Sequence, residues 1–137
     1  MYTSLSQLEK RINPQNILRL ADDDIDGVAD EQVINQAIAD ADAVIDAYLR
    51  NRYDVPFSTV PDIIESISAV ISINNLYARR KELIPDEHKT RFEKAIELLE
   101  DIYRGKINIG TDILQSELDS TTLNQDKTFS SDSLEDF

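Results

Sequence analysis

Residues 22–49 read DDDIDGVADEQVINQAIADADAVIDAYL, an aspartate-rich turn followed directly by a long amphipathic segment. In its second part, apolar residues recur at steps of three and four, the spacing of one apolar face on an α-helix. Asp30 stands where an N-cap belongs, with a side-chain oxygen available to the free amides of the first turn. Because no Gly or Pro interrupts the chain up to Tyr53, we predict a helix that ends near Asn51. Its apolar face consists of Val33, Ile34, Ala37, Ile38, Ala41, Ile45, Tyr48 and Leu49.

Four more helices are predicted around this one. Two short helices precede it, one from Ser4 to about Ile12 and one over Pro14–Ala21, where Asn13-Pro14 resembles an N-cap followed by proline at the first helical position. Two long helices follow, one opening at Val60-Pro61 and one running from about Pro85 to Arg104. The predicted fold class is therefore all-α: a small helical bundle of about three long helices plus short N-terminal helices, with an extended C-terminal tail.

We expect a helical domain over residues 1–110 and an acidic tail over residues 111–137. Tyr53, Val55 and Phe57 are expected to cross the core as an apolar strap, because Pro56 forces Val55 into an extended conformation. After Gly110 acidic residues dominate and apolar residues are scattered, a composition that does not form a core on its own. We expect this tail to be disordered in the isolated chain and, where it is ordered, to be extended and held by a partner chain.

The composition of the 137-residue chain excludes several classes of protein. Its net charge of −13 argues against a nucleic-acid binder, which needs a basic surface, and suits cations or basic proteins as partners. The absence of cysteine excludes disulfides, a thiol nucleophile and a cysteine-based zinc site. No apolar run reaches the ~18 residues of a membrane span, and the N-terminus is not a signal peptide. We therefore expect a soluble protein made in a cytoplasm.

The aspartate-rich turn partly matches a calcium-binding EF-hand loop. Gly27 falls at the sixth position of that loop, but the twelfth position, which needs a bidentate glutamate, is Val33. Two interpretations stay open: a Ca²⁺ site without the usual glutamate, or a tight Asp-Gly turn that ends in an N-cap. The loop register assigns the metal-binding positions to Asp22, Asp24, Asp26, Val28 and Asp30.

Asp42 and Asp46 lie four residues apart on the long helix, away from its apolar face. One interpretation is a solvated face on which Asp46 pairs with Arg50. The other is an acidic patch that meets a basic patch, Arg79-Arg80-Lys81, on a neighbouring subunit.

No catalytic group is evident in the sequence. His88 is the only histidine, and no nucleophile, orienting acid or metal-ligand spacing accompanies it locally. We expect it on the surface. The chain has three glycines and no glycine-rich phosphate loop. We therefore expect that the protein is not an enzyme.

Five separated motifs resemble the Mu-like prophage family of small acidic head–tail proteins. The resemblance covers about residues 1–110. The motifs are Met1-Tyr2-Thr3 with Leu8, the Asp22–Gly27 turn, the Ala39–Leu49 helix segment, Arg52-Tyr53 with Val55-Pro56 and Pro61, and Arg104-Gly105-Lys106-Ile107.

The resemblance implies a structural role at the head–tail junction of a phage. The family is similar to the helical adaptors of long-tailed phages, which form a ring, commonly of twelve subunits, beneath the portal. It implies as partners other copies of the chain, the portal protein and the next neck or tail protein, with DNA passing through unbound. It also implies a place in the neck of the virion, after assembly in the host cytoplasm.

Overall fold

A computed structural model describes residues 1–81 and 83–114 of the chain. It confirms the all-α fold class. The described residues form five helices: α1 (Leu5–Glu9), α2 (Pro14–Ala21), α3 (Glu31–Leu49), α4 (Asp62–Arg79) and α5 (Asp86–Tyr103). No helix in these two ranges is long and apolar enough to cross a membrane.

The three long helices pack together, and α4 lies in contact with both α3 and α5. One buried cluster, which includes Ile45, Leu49 and Ile67, joins all three of them, and Leu99 and Ile102 extend it along α5. The predicted apolar face of α3 is buried at six positions, while Val33 and Tyr48 lie at its margins. The six buried positions are Ile34, Ala37, Ile38, Ala41, Ile45 and Leu49.

The two short helices close the other end of the α3–α4 pair. They contribute Leu8, Ile17 and Leu20 to a second buried cluster, which contains Ile38 from α3 and Leu76 from α4. The cluster therefore fixes the chain between α2 and α3 close to the C-terminal end of α4.

The helix ends follow the sequence signals only in part. The Asn13 side chain accepts a hydrogen bond from the amide of Gln15 at 2.9 Å, as expected of an N-cap before Pro14. Gly105, with φ +81°, follows α5 in the left-handed conformation that ends many helices. Asp30 is the N-cap residue of α3, but its side chain makes no capping bond, and the expected cap is wrong in this respect.

The extended segment after α3 covers the core as predicted. Tyr53 and Phe57 are buried, and Val55 packs beside them. The chain returns to this strap beyond residue 110, since Ile113 forms an isolated bridge with Tyr53 and the Leu114 amide donates to the Arg52 carbonyl at 2.8 Å. Contact with the bundle thus continues to residue 114. The rest of the predicted tail, residues 115–137, lies outside the described residues.

Candidate functional site

The aspartate-rich turn between α2 and α3 is folded around its own carboxylates. Asp22 accepts hydrogen bonds from the amides of Asp26 at 3.1 Å and Gly27 at 2.9 Å. Asp26 accepts one from the amide of Val28 at 2.9 Å. Asp30, the residue expected to cap α3, accepts instead from the amide of Asp23 at 3.1 Å. Short acidic side chains stabilise turns in this way because they bond backbone amides a few residues away.

Two arginines at the end of α4 hold the turn in place. Arg79 contacts a carboxylate oxygen of Asp23 at 2.7 Å, and Arg80 contacts the other at 3.1 Å. Both guanidinium groups also donate to the carbonyl of Leu20, at 3.1 and 3.2 Å, near the C-terminal end of α2. The hydrogen bond from Arg79, together with the positive charges of both arginines, lowers the pKa of the Asp23 carboxyl.

This arginine clamp changes the interpretation of the basic patch. One of the two interpretations had Arg79 and Arg80 meet Asp42 and Asp46 of a neighbouring subunit; in the structure both arginines bind Asp23 of the same chain. The reason is the second buried cluster, which brings the end of α2 beside the end of α4. Lys81, the third member of the patch, is exposed.

Three of the predicted metal-binding positions come together. Carboxylate oxygens of Asp22, Asp26 and Asp30 all lie within 4.8 Å of one another, and carboxylates are the ligands that Ca²⁺ prefers. Asp24 is not part of this trio, and repulsion from Asp30, together with some burial and the other acids of the turn, raises the pKa of its carboxyl. The donor chemistry of the trio fits a Ca²⁺ ion. Such an ion takes about six to eight oxygens, so water or backbone oxygens would have to complete the site.

The two remaining acidic positions, Asp42 and Asp46, anchor the N-terminus of the chain. Asp42 accepts hydrogen bonds from the amide of Tyr2 at 3.0 Å and from the hydroxyl of Ser68 at 2.7 Å. Asp46 accepts from the hydroxyl of Tyr2 at 2.6 Å, not from the expected Arg50. Burial raises the pKa of the Asp42 carboxyl, in spite of these hydrogen bonds. The interpretation as a solvated acidic face is therefore wrong for Asp42, which is half-buried between α3 and α4.

Tyr2 connects this network to the strap. Its hydroxyl accepts a hydrogen bond from the amide of Phe57 at 3.2 Å, and the two rings lie 5.8 Å apart. Burial, followed by the hydrogen bond to Asp46, raises the pKa of the Tyr2 phenol. Next to it, the hydroxyl of Thr3 donates to Glu65 at 2.9 Å. Sequence reasoning missed these roles because the partners lie dozens of residues apart.

His88 is buried, contrary to expectation. Its side chain is 8% exposed, and its ring lies 5.7 Å from the ring of Tyr77. Burial lowers the pKa of the imidazole. A signal was present in the sequence, because His88 lies four residues before Phe92 and seven before Ala95, in phase with the buried face of α5.

Comparison with known proteins shows a phage family. Residues 2–126 match the family described as Bacteriophage Mu, Gp36, so the match continues beyond the resemblance seen over residues 1–110. The chain is 33% identical to Mu-like prophage FluMu protein gp36 of Haemophilus influenzae over 81 residues, which are 59% of this chain and 55% of that protein. It is 33% identical to Gene product J of Escherichia phage Mu over 88 residues, 64% of this chain and 60% of that protein. The chain thus spans less than two-thirds of the length of these curated relatives.

Proposed function

The chain belongs to the Bacteriophage Mu, Gp36 family, and on this premise we propose that it is a structural head–tail adaptor of a tailed phage or prophage. The observation that carries the proposal is the family match over residues 2–126. In the proposed role, about twelve copies form a ring below the portal and join it to the next neck or tail protein. The ring lies at the head–tail junction of the virion and is assembled in the host cytoplasm.

The charge of the chain supports this role. A ring on the path of packaged DNA must let the DNA pass without holding it. With a net charge of −13 per copy, the ring repels the phosphate groups of DNA. This repulsion acts over roughly 8–10 Å, because salt screens charges at larger distances. The same charge favours contact with basic surfaces on other virion proteins.

The polar groups of the described residues support a role without catalysis. Asp42 and Asp46 accept hydrogen bonds from Tyr2, Asp23 binds two arginines, and the His88 ring packs beside that of Tyr77 at a tilt of 33°. Each of these groups stabilises the bundle, which suits a rigid part of an assembly. We propose on this basis that the protein is not an enzyme.

Binding to the portal protein of the same phage tests the adaptor role. The full-length chain is mixed with purified portal, and the complex is separated by size and weighed by native mass spectrometry. We expect a complex with a fixed number of adaptor copies, and no complex with the portal of an unrelated phage. A chain that never binds its own portal at micromolar concentration contradicts the proposal.

The trio of carboxylates favours a second function, a calcium-binding interaction module, which is compatible with the first. Calorimetry with Asp26→Ala and Asp24→Ala variants tests it, because both residues belong to the EF-hand register but only Asp26 belongs to the trio. If the trio binds Ca²⁺, we expect Asp26→Ala to abolish the heat of binding and Asp24→Ala to retain it. No heat from the unmodified chain leaves the segment as a turn alone.

A further inference from the structure

An apolar groove of about 210 Å³ lies between α4 and α5. The two charged residues in its lining, Arg91 and Lys94, are both cationic and both exposed. A neighbouring cavity of about 260 Å³ shares Val70 and Arg91 with the groove and adds Lys10 and Arg11. The charged residues that line the two cavities are thus all basic, and one of them, Arg11, also contacts Glu65 at 3.9 Å. Aliphatic side chains of Ile63, Ile67, Val70 and Leu98 line the groove.

The apolar lining and the cations of this groove favour a partner of complementary chemistry. An apolar lining excludes water best when it is covered by an aliphatic side chain, and flanking cations favour a partner with carboxylates around that side chain. Within the chain, Arg91 has an exposed contact with Glu87 at 3.3 Å, a contact of the kind that contributes little stability. Arg91 can therefore exchange Glu87 for a partner carboxylate at small cost.

The aspartate-rich turn carries the matching surface, which we call the knob and define as residues 24–28. Ile25 and Val28 have 89% and 65% of their surfaces exposed, and Asp24 and Asp26 flank Ile25. Ile25 has φ +57°, a conformation that is rare and unfavourable for a β-branched residue. An exposed isoleucine is ordinary by itself. An isoleucine that is both exposed and held in a strained conformation indicates a surface kept for a function.

The knob is organised before any partner binds. Asp22 accepts hydrogen bonds from the amides of Asp26 and Gly27, inside the knob. The arginine clamp holds Asp23 at its base. A preorganised loop loses less conformational entropy on binding, so more of its contact energy appears as affinity.

The knob cannot reach the groove of its own chain. The turn is tied to Arg79 at the end of α4, whereas the groove includes Ile67 on the same helix, twelve residues earlier. At a rise of 1.5 Å per residue, these positions are ~18 Å apart along the helix axis. The two surfaces can therefore meet only between different copies. Such a contact joins two different faces, the heterologous kind that generates rings.

We propose that the knob of one copy docks into the α4–α5 groove of the next copy, with the acidic residues of the knob beside the cations of the groove. This inference rests on the proposed function, because a ring needs a heterologous contact, and it names the two surfaces that make that contact.

A charge exchange between the two surfaces tests the inference. Asp24→Lys with Asp26→Lys reverses the knob, and Arg91→Glu with Lys94→Glu reverses the groove. Each variant alone places like charges together, so we expect association on the order of 100-fold weaker. An equimolar mixture of the two variants restores association, because every contact again pairs opposite charges. Sedimentation velocity measures association of the full chain, both with and without portal, in the presence of a chelator. Circular dichroism checks that each variant folds.

A second pair of substitutions serves as the matched control. Glu117→Lys with Asp119→Lys changes the net charge by the same amount as the knob variant, but in the C-terminal segment. We expect association to be unchanged. If this control weakens association and the knob variant does not, the C-terminal segment rather than the knob takes part in association and the inference is wrong.

Cross-linking gives an independent readout, because the chain has no cysteine. We expect oxidation of a mixture of Ile25→Cys and Leu98→Cys chains to give a disulfide-linked heterodimer. Leu83→Cys, at a residue 94% exposed and outside the knob, replaces Ile25→Cys as the control and is expected to give none.

The outcomes separate the inference from the proposed function. If the charge variants assemble on the portal as well as the unmodified chain does, and no Ile25–Leu98 cross-link forms, the inference is wrong. The adaptor role is not affected by that result. A chain that assembles neither alone nor on the portal contradicts both.

Discussion

The phenol of Tyr2 joins three separate parts of the chain. Its hydroxyl donates to Asp46 on α3 and accepts from the amide of Phe57 in the strap, and its backbone amide donates to Asp42. A hydrogen bond to a carboxylate contributes more stability than a neutral one, and a buried amide without a partner is costly. Tyr2 thus fixes the N-terminus against both α3 and the strap.

Removing this hydroxyl is expected to destabilise the protein. In Tyr2→Phe the ring can remain, but Asp46 and the Phe57 amide both lose a partner. We expect the free energy of unfolding to fall by about 1–3 kcal/mol, measured by urea denaturation. Tyr103→Phe is the control, since Tyr103 is 46% exposed, and we expect a change within about 0.5 kcal/mol. Equal effects of the two substitutions would show that the Tyr2 hydroxyl is not a structural link.

The strained backbone of Ile25 leads us to predict a substitution that increases, rather than decreases, the free energy of unfolding. Glycine adopts φ +57° without the cost of about 1–2 kcal/mol that a β-carbon imposes there, although it loses more entropy on folding. We therefore expect Ile25→Gly to raise the free energy of unfolding by up to about 1 kcal/mol while weakening self-association. A variant that is less stable than the unmodified chain would show that Ile25 contributes packing within the monomer.

At the scale of the helices, the sequence predicted those boundaries that residues next to them determine. The ends of α2 were predicted at the observed residues, because Asn13-Pro14 marks its start and the aspartate-rich turn follows its end. The long helix α3 was predicted from its apolar face, and it ends at Leu49 rather than near Asn51. The first helix ends at Glu9 instead of about Ile12, since the amides of Lys10 and Arg11 bond carbonyls three residues back.

Contacts between distant elements could not be predicted in this way. Asp23 and Arg79 are 56 residues apart, and only the packing of α2 on α4 brings them together. Spacing along the chain therefore could not show that the basic patch has a partner within its own chain. The carboxylate trio was partly predictable, because Asp22, Asp26 and Asp30 recur at intervals of four within one short turn.

The end of α5 provides a test at this scale. A β-carbon added to Gly105 would lie 2.7 Å from Nη2 of Arg52, and the residue has φ +81°. Gly110 has the same φ with open space around it. We expect Gly110→Ala to cost about 1 kcal/mol of unfolding free energy from the backbone alone, and Gly105→Ala to cost more, as measured by thermal unfolding. Equal costs would show that Arg52 moves aside freely.

As a whole molecule, the chain is an acidic helical bundle that we propose to be one part of a larger assembly. Its internal hydrogen bonds and ion pairs fix the orientation of two surfaces at different places, the knob and the groove. Copies that associate through two different faces form a ring only if the rotation between neighbours closes. An exposed aliphatic pair on one copy and an apolar groove on the next become buried together in such a ring.

Cryo-electron microscopy of virions from the phage that carries this chain tests the adaptor role most directly. We expect the five-helix bundle to fit repeated density in a ring directly below the portal, with each copy contacting two neighbours through different faces. A neck with no density that fits the bundle, or bundle density found only elsewhere in the particle, would contradict the account.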